Sequence, residues 1–517
     1  MNATQLLAHF DRLAEAPNAV PRLRRFILDL AVRGKLVEQD AGDEPAGELL
    51  KRIYAHKADL VNERLLKVQS AFTAVPLALQ PYRLKSNWMW AFFGSIMISR
   101  DGERIPVSKE ERNTRAKTYD YYGASGVIDK IDGFLFDKPL LLIGEDGANL
   151  INRSTPIAFI ARGQYWVNNH AHVLDGITED FLRYIELYVN AIDLKAYVTG
   201  TAQPKMNQAK MNSIPVAIPP EAEQHRIVAK VDELMALCDQ LEAAQQERER
   251  RRDRLAAASL QRLNQPAADT TPEAQREHAR FYLQHLPRLT TRPEHIKAMR
   301  QTILNLAVRG ALSDSNEWSL YSQPLKIAAT LQNGYAFKSE WFAKTGIRLL
   351  RNTNVSHGVI RWDELACLPI EQAEEFERFK LLEGDVVLSL DRPFIGTGTK
   401  VARVRTNDLP CLLLQRVGRF QLNLDLLTSD YLFLWIESPQ FTDQIDPGRS
   451  NGIPHISSKQ VECAEIFLPP LAEQHRIVAK VDELMALCDQ LEAQLTTTQT
   501  DSRRLLEAVL VAALVPV

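Results

Sequence analysis

Ala222–Ala243 reads AEQHRIVAKVDELMALCDQLEA, and Ala472–Ala493 repeats those 22 residues without one change, 250 positions later. Within the repeat, apolar residues fall at Ile227, Val231, Leu234, Cys238 and Leu241, in alternating steps of four and three. The second copy carries Ile477, Val481, Leu484, Cys488 and Leu491, and continues through Leu495, Leu505 and Val509. That spacing predicts a coiled-coil seam on a long helix. Pro219-Pro220 and Pro469-Pro470 stand just before each copy, where proline is tolerated at a first helical turn. Glu223 and Glu473 then sit near the positive end of the helix dipole. A helix of about 45 residues would be on the order of 65 Å long at 1.5 Å per residue. Packing would fix only the apolar positions. Identity at the solvent-side positions as well suggests one kind of partner met twice.

A second repeat surrounds the first. Residues 7–36 match residues 283–312, with His9/His285, Pro17/Pro293, Arg24/Arg300 and the run LAVRG at Leu30 and Leu306 in common. The order is helical module, variable segment, long helix and linker, then the same three elements again. The linker runs from about Asn264 to Arg280 and is polar and proline-containing. An extra helical stretch, about Pro45–Val68, follows only the first module. The variable segments, Trp88–Pro219 and Trp318–Pro469, lose the helical period and gain short apolar runs with Gly and Pro punctuation, such as Pro139–Gly147, Gly384–Leu390 and Cys411–Phe420. These read as strands. They share little sequence beyond end positions such as Pro204/Pro454. Two equal units closing on each other form a pseudo-two-fold, which makes the long helices antiparallel and places the variable segments at opposite ends.

The expected fold is therefore α+β: two mixed α/β domains separated by two long antiparallel coiled-coil helices in a pseudo-two-fold tandem repeat. The boundaries are residues 1–85 for the N-terminal helical module, 86–219 for the first variable domain and 220–264 for the central helix. Residues 265–315 form the linker and second module, 316–469 the second variable domain, and 470–517 the distal helix.

Composition is that of an ordinary globular chain, 45% apolar and 25% charged, with a net charge of -3. The balance argues mildly against a nucleic-acid binder, although a local patch satisfies the same need. No apolar run is long enough to cross a bilayer, and the first residues lack a signal-type core. The five cysteines are odd in number and contain no CxxC pair. They point to reduced thiols in a cytoplasm.

The arrangement resembles the specificity subunit of Type I restriction-modification systems over nearly the whole chain. The resemblance rests on IPPEAEQHRIVAKVDEL at Ile218–Leu234, LPPLAEQHRIVAKVDEL at Leu468–Leu484, and the two LAVRG modules. It implies two target-recognition domains that read the halves of a split, asymmetric double-stranded DNA sequence, with the paired helices as a ruler between them. It implies docking of two modification (methyltransferase) subunits and of restriction (helicase-nuclease) subunits. It also implies that this chain is not catalytic and holds no cofactor, so that S-adenosylmethionine, ATP and Mg act in the partners. Two modules on one face of B-DNA need a spacing near one turn, about 34–36 Å, which a helix pair of this length can set.

Several motifs have a competing reading. Phe394–Gly398 (FIGTG) looks like a methyltransferase FxGxG, but the chain has no [DNS]PP[YF] motif, so a strand-edge turn is the expectation. Glu145-Asp146 as a nuclease pair lacks a nearby lysine, and Gly147 favours a turn. His170 and His172 fall short of a metal site. The charge run Arg248–Arg254 reads as a solvated face. The DNA-reading candidates are side chains able to meet base edges or phosphates: Tyr121, Tyr122, Ser125, Asn168, Asn169, His170 and Lys205 in the first domain. In the second they are Asn333, Tyr335, Phe337, Arg351, Asn352, Asn354, Arg392, Arg416, Arg449 and His455, with Gly334 between the first two. The repeat itself offers Glu223, Gln224, Arg226 and Glu473, Gln474, Arg476 to partners. The alternatives are a purely structural coiled-coil adaptor, without sequence-specific DNA binding, and a self-contained nuclease or methyltransferase.

Overall fold

The computed structural model describes residues 16, 18–64, 66, 74–200, 203–267, 269–312, 322–450 and 452–514. The start of the first repeat (Leu7, His9) and Trp318 lie outside them. The chain divides into two compact units: Met1–Gln246 with Thr500–Val517, and Glu247–Gln499.

The first unit opens with α1 (Ala19–Val32) and α2 (Ala46–Asn62). Its strands are β1 (Met89–Phe92), β2 (Ile98–Ser99), β3 (Tyr119–Gly123), β4 (Gly126–Ile131), β5 (Leu140–Gly144), β6 (Ala158–Ala161), β7 (Tyr165–Val167), β8 (Ala171–Asp175) and β9 (Pro215–Ile218). An antiparallel sheet runs β2-β8-β5-β6, and a smaller sheet, β4-β3-β7, has β3 and β7 parallel. The central strand β5 is buried throughout, which accounts for its unbroken apolar run. Helices α3 (Glu179–Ala191) and α4 (Gln208–Asn212) start at Thr178 and Asn207, whose side chains accept from Phe181 N and Lys210 N and so satisfy amides left over at a helix start. The long helix α5 (Glu221–Asn264) follows β9, which pairs with β1.

In the second unit, α6 (Pro272–Leu289) begins where the sequence predicts linker, so the irregular connection ends at Thr271. Pro272 suits a first turn, and Tyr282 on that helix is buried, which gives the segment an apolar anchor that its polar composition hides. Next come α7 (Pro293–Val308) and the strands β10 (Gln323–Pro324), β11 (Ala329–Asn333), β12 (Ile347–Leu350), β13 (Cys367–Leu368), β14 (Val386–Ser389), β15 (Phe394–Ile395), β16 (Gly398–Thr399), β17 (Val401–Arg403), β18 (Cys411–Leu413), β19 (Val417–Leu422), β20 (Gly448–Ser450), β21 (Ile453–His455) and β22 (Glu465–Ile466). Helices α8 (Ser429–Glu437), α9 (Ser458–Cys463) and α10 (Leu471–Leu514) complete it, with Thr428 and Ser457 as caps. The main sheet runs β11-β19-β14-β17, and the smaller one, β13-β12-β18, has β12 and β18 parallel. These two sheets and the pair β10-β22 repeat the topology of the first unit, and the hairpins β15–β16 and β20–β21 are additions to it. Two segments with little common sequence therefore share one fold.

The long helices belong to both units. α5 gives Glu221–Gln246 to the first and Glu247–Asn264 to the second; α10 gives Leu471–Gln499 to the second and Thr500–Leu514 to the first. Their directions follow inside the second unit. Asp253 meets Arg292 and His295 at the start of α7, and Asn264 meets Thr302, Asn305 and Arg309 at its end. Thus α7 runs with α5. Against α10 it runs the other way: Arg300 meets Asp489 and Glu492, while Leu312, beyond α7, shares a space with the earlier Leu484. The two long helices are antiparallel there. The apolar positions of the repeat are buried, each in its own domain's core: Ile227, Val231 and Cys238 with α1, α2 and α3, and Ile477, Val481, Leu484, Cys488 and Leu491 with α7 and α8. Burial pushes the Cys488 thiol up to about 11, so it packs as a neutral group.

Candidate nucleic-acid interface

Much of the polar identity of the repeat has an internal cause. Gln224 donates to Pro219 O at 3.0 Å, and Gln474 to Pro469 O at 2.9 Å and Leu426 O at 2.7 Å. Glu223 accepts from Trp88 Nε1 at 2.9 Å, and its desolvation holds the carboxyl above its ordinary value despite that bond. Glu223, Gln224, Glu473 and Gln474 are all buried. Burial corrects the expectation that they meet a partner: Glu223, Gln224 and Gln474 are spent on their own surroundings, and Glu473 is covered with Arg476 beside it. Arg226 is taken by Asp43, supplied by the loop before α2, whereas Arg476 is 70% exposed beside Glu473. Asp239 and Glu242 hold Arg24 as Asp489 and Glu492 hold Arg300. Such exposed pairs are worth at most about 1 kcal/mol each, so they set register more than stability. Positions exposed in both copies are Ala222/Ala472, His225/His475, Ala229/Ala479, Asp232/Asp482, Glu233/Glu483, Ala236/Ala486, Leu237/Leu487, Asp239/Asp489, Gln240/Gln490 and Ala243/Ala493.

The end of the central strand builds the same device in both domains. In the first, Glu145 N donates to His170 O at 2.8 Å, Met206 N to Glu145 O at 2.8 Å and Gly147 N to Pro204 O at 2.9 Å. In the second, Leu390 N donates to Arg416 O at 2.8 Å, Ile456 N to Leu390 O at 2.9 Å and Arg392 N to Pro454 O at 2.7 Å. Asp146 thus bridges Lys205 as Asp391 bridges His455. Gly147 (φ 103°) and Arg392 (φ 46°) both take left-handed backbone, costly for arginine.

The side chains on this common frame differ. In the first domain His170 Nδ1 lies 2.7 Å from Asp146, and Lys205 Nζ 3.1 Å from Glu145. Beneath them, buried His172 lies 2.6 Å from Asp101 and 2.9 Å from Met206 O. Its burial alone would push it down, but the Asp101 bond and charge, the carbonyl and Glu145 hold it above the ordinary histidine value. Glu145, although desolvated, is held below its ordinary value by Arg104, His172 and Lys205. In the second domain His455 Nδ1 lies 2.7 Å from Asp391, and Arg416, also left-handed at φ 74°, lies 3.5 Å from the same carboxylate. Acids at the sheet end therefore hold two cationic or titratable side chains in each domain: Asp146 and Glu145 hold His170 and Lys205, whereas Asp391 alone holds Arg416 and His455. Ser125, Asn169, His170 and Lys205 remain exposed in the first domain. Their loops converge: Asn168 N donates to Tyr122 O, and Gly144 leaves no room for a Cβ beside Ala124 O.

Other candidates are placed elsewhere. Tyr121 is 0% exposed, with its hydroxyl bonded to Val107; it is a core residue. Tyr122 is half-buried and packs on Phe159 and Tyr165. Asn168 is buried and accepts from His170 N at 2.8 Å, shaping the turn rather than facing a ligand. Phe337 is buried in a cluster with Tyr335 and Phe376; Tyr335 keeps 36% exposure. Asn354 is buried and ties Arg351 N to the carbonyls of Arg361 and Glu364. Arg351 binds Glu364, Asn352 receives Lys400 at its carbonyl, and Asn333 donates to Ser458. Arg392 is exposed. Arg449 lies on β20 opposite Pro454, and its side chain falls outside the described residues. The run Arg248–Arg254 pairs with its own glutamates, Glu247 with Arg251 and Glu249 with Arg252. Sequence reasoning missed Asp146 and Asp391 as the shared anchor. Their signal is the apolar run before each, Leu140–Ile143 and Val386–Leu388.

The family model described as Type I restriction modification DNA specificity domain matches residues 85–249 and 331–498. Among curated proteins the chain is 32% identical to the Type I restriction enzyme EcoAI specificity subunit of Escherichia coli, over 96% of this chain and 94% of that one. It is 26% identical to the EcoEI specificity subunit of Escherichia coli, again over 96% and 94%. Among solved structures, the HsdS subunit from Thermoanaerobacter tengcongensis aligns with a TM-score of 0.46 at 15% identity, covering 84% of this chain and 99% of that one.

Proposed function

We propose, from the premise that this chain belongs to the Type I restriction-modification DNA specificity family, a division of labour between its constant and its variable parts. The chain is the DNA target-recognition subunit of a Type I restriction-modification complex. Each domain reads one half of a split double-stranded DNA target through the sheet end that carries Asp146 or Asp391. The observation that carries this reading is the shared frame with unlike side chains: His170 and Lys205 in one domain, Arg416 and His455 in the other. Arginine reads guanine or holds phosphate, whereas lysine and histidine offer different donors. One fold thereby recognises two half-sites.

Catalysis is assigned to partners: two modification subunits using S-adenosylmethionine, and restriction subunits using ATP and Mg. The partner surface is the set of repeat positions exposed in both copies, with Leu237 (51% exposed) and Leu487 (37%) as its apolar points. Two equal surfaces suit two copies of one partner. No described helix is long and apolar enough to cross a membrane, in keeping with a cytoplasmic site of action.

The test uses the chain assembled with its modification subunits, with binding to target DNA measured by fluorescence anisotropy across a salt series. Arg416→Ala is expected to weaken binding on the order of tenfold, the lower part of the 1–3 kcal/mol range for an arginine contact. It should also lessen discrimination in one half-site only. Unchanged affinity and selectivity would contradict the placement.

A further inference from the structure

Just beyond the shared bridge, the two domains differ. After Gly147 the first makes a helical turn, Asn149–Asn152; after Arg392 the second makes the hairpin β15–β16. The base of that hairpin is fixed. Thr399 is buried and donates to Ile436 O at 3.2 Å, and Lys400 N donates to Pro393 O at 2.7 Å. Gly398 (φ 144°) is required, because a Cβ there would stand 2.5 Å from the His357 ring. Its tip is free: Ile395 is 39% exposed, Gly396 and Thr397 are exposed, and a Cβ on Gly396 would meet nothing within 4 Å.

The geometry points to the hairpin tip, Ile395 to Thr397, as a base-reading finger for the second half-site. This rests on the DNA-reading function proposed above. A two-stranded ribbon fits the major groove of B-DNA; there an apolar side chain meets a thymine methyl and a threonine hydroxyl meets either a donor or an acceptor. A fixed base with a free tip gives a rigid probe that loses little entropy on binding. Arg392, exposed two residues before β15, is placed to hold the flanking backbone by charge. The matching segment of the first domain presents Ile151, also 39% exposed, on a helical turn instead of a hairpin.

The experiment maps methylated sites genome-wide for the assembled complex carrying Ile395→Ala with Thr397→Ala, and separately Gly396→Ala, which adds one methyl into open space. Thermal unfolding of Gly396→Ala should match the parent, since its added methyl meets nothing within 4 Å, which makes it the control for the double variant, where Ile395 is partly covered. The expected result is a second half-motif relaxed at one or two positions, with about tenfold weaker binding to the parent target and an unchanged first half-motif. A parent that reads a split motif while both variants leave its second half untouched overturns the finger alone. A parent that reads no split motif overturns the DNA-reading proposal and the finger with it.

Discussion

Seven residues added to each long helix, one heptad in α5 and one in α10, are expected to leave both half-motifs intact and widen the gap between them. A heptad lengthens a helix by about 10 Å at 1.5 Å per residue, or roughly three base pairs at 3.4 Å each. The seam tolerates the insertion because whole heptads keep apolar residues facing the partner helix. Both helices must change together, since each passes from one unit into the other. Methylation at the original sites should fall to background while sites with the longer gap become modified. An insertion of three or four residues shifts the seam around the helix and should abolish both. Methylation mapping separates the outcomes, and an unchanged gap after the heptad insertion would refute the ruler.

Gly334→Ala is expected to unfold the second domain and spare the first. A Cβ at Gly334 would stand 2.3 Å from Leu414 O and 2.6 Å from Leu413 O, backbone atoms that no rotamer change can move. The parallel bridge from Tyr335 to Leu414, with Tyr335 N donating to Leu413 O at 3.0 Å, would have to open. The cost is on the order of 3 kcal/mol, the upper end of what overfilling a packed site usually costs, because the opposing atoms are backbone. Hydrogen exchange of the full chain reads the result by region. Protection should fall across β11, β12, β18 and β19 and stay unchanged across β5 and β8. Equal loss in both units, or none, would contradict the division of the chain into two compact units.

The helical half of the fold was legible because an apolar stripe writes itself at fixed spacing: Ile227, Val231 and Cys238 are buried as the pattern requires, against the first domain's own helices. The polar half of the repeat was not. Gln224 looks free for a partner, yet it returns to Pro219 O, and residue type alone does not tell a solvent-facing amide from one folded back on its own backbone. Tyr121, Asn168 and Asn354 fail for the same reason, since the donors and acceptors that suit DNA also suit a turn or a buried hydroxyl. The likeness of the two variable domains left a fainter trace. Strand register depends on alternation and burial, which many residues satisfy, so sequence drifts while topology holds. Helix caps are less forgiving, and Thr178/Thr428 and Asn207/Ser457 stand 250 residues apart, the spacing of the duplicated helix. His170, Lys205, Arg416 and His455 were readable as candidates, but only the frame at Asp146 and Asp391 shows that each pair occupies one position in two domains.

The central claim is that one constant scaffold carries two unlike readers. The most direct measurement is base-resolution mapping of methylation by the assembled complex after residues 86–219 are exchanged for the corresponding segment of another family member. One half of a split motif should change while the other half and the gap stay as they were. A contiguous motif, or a change in both halves at once, would contradict it.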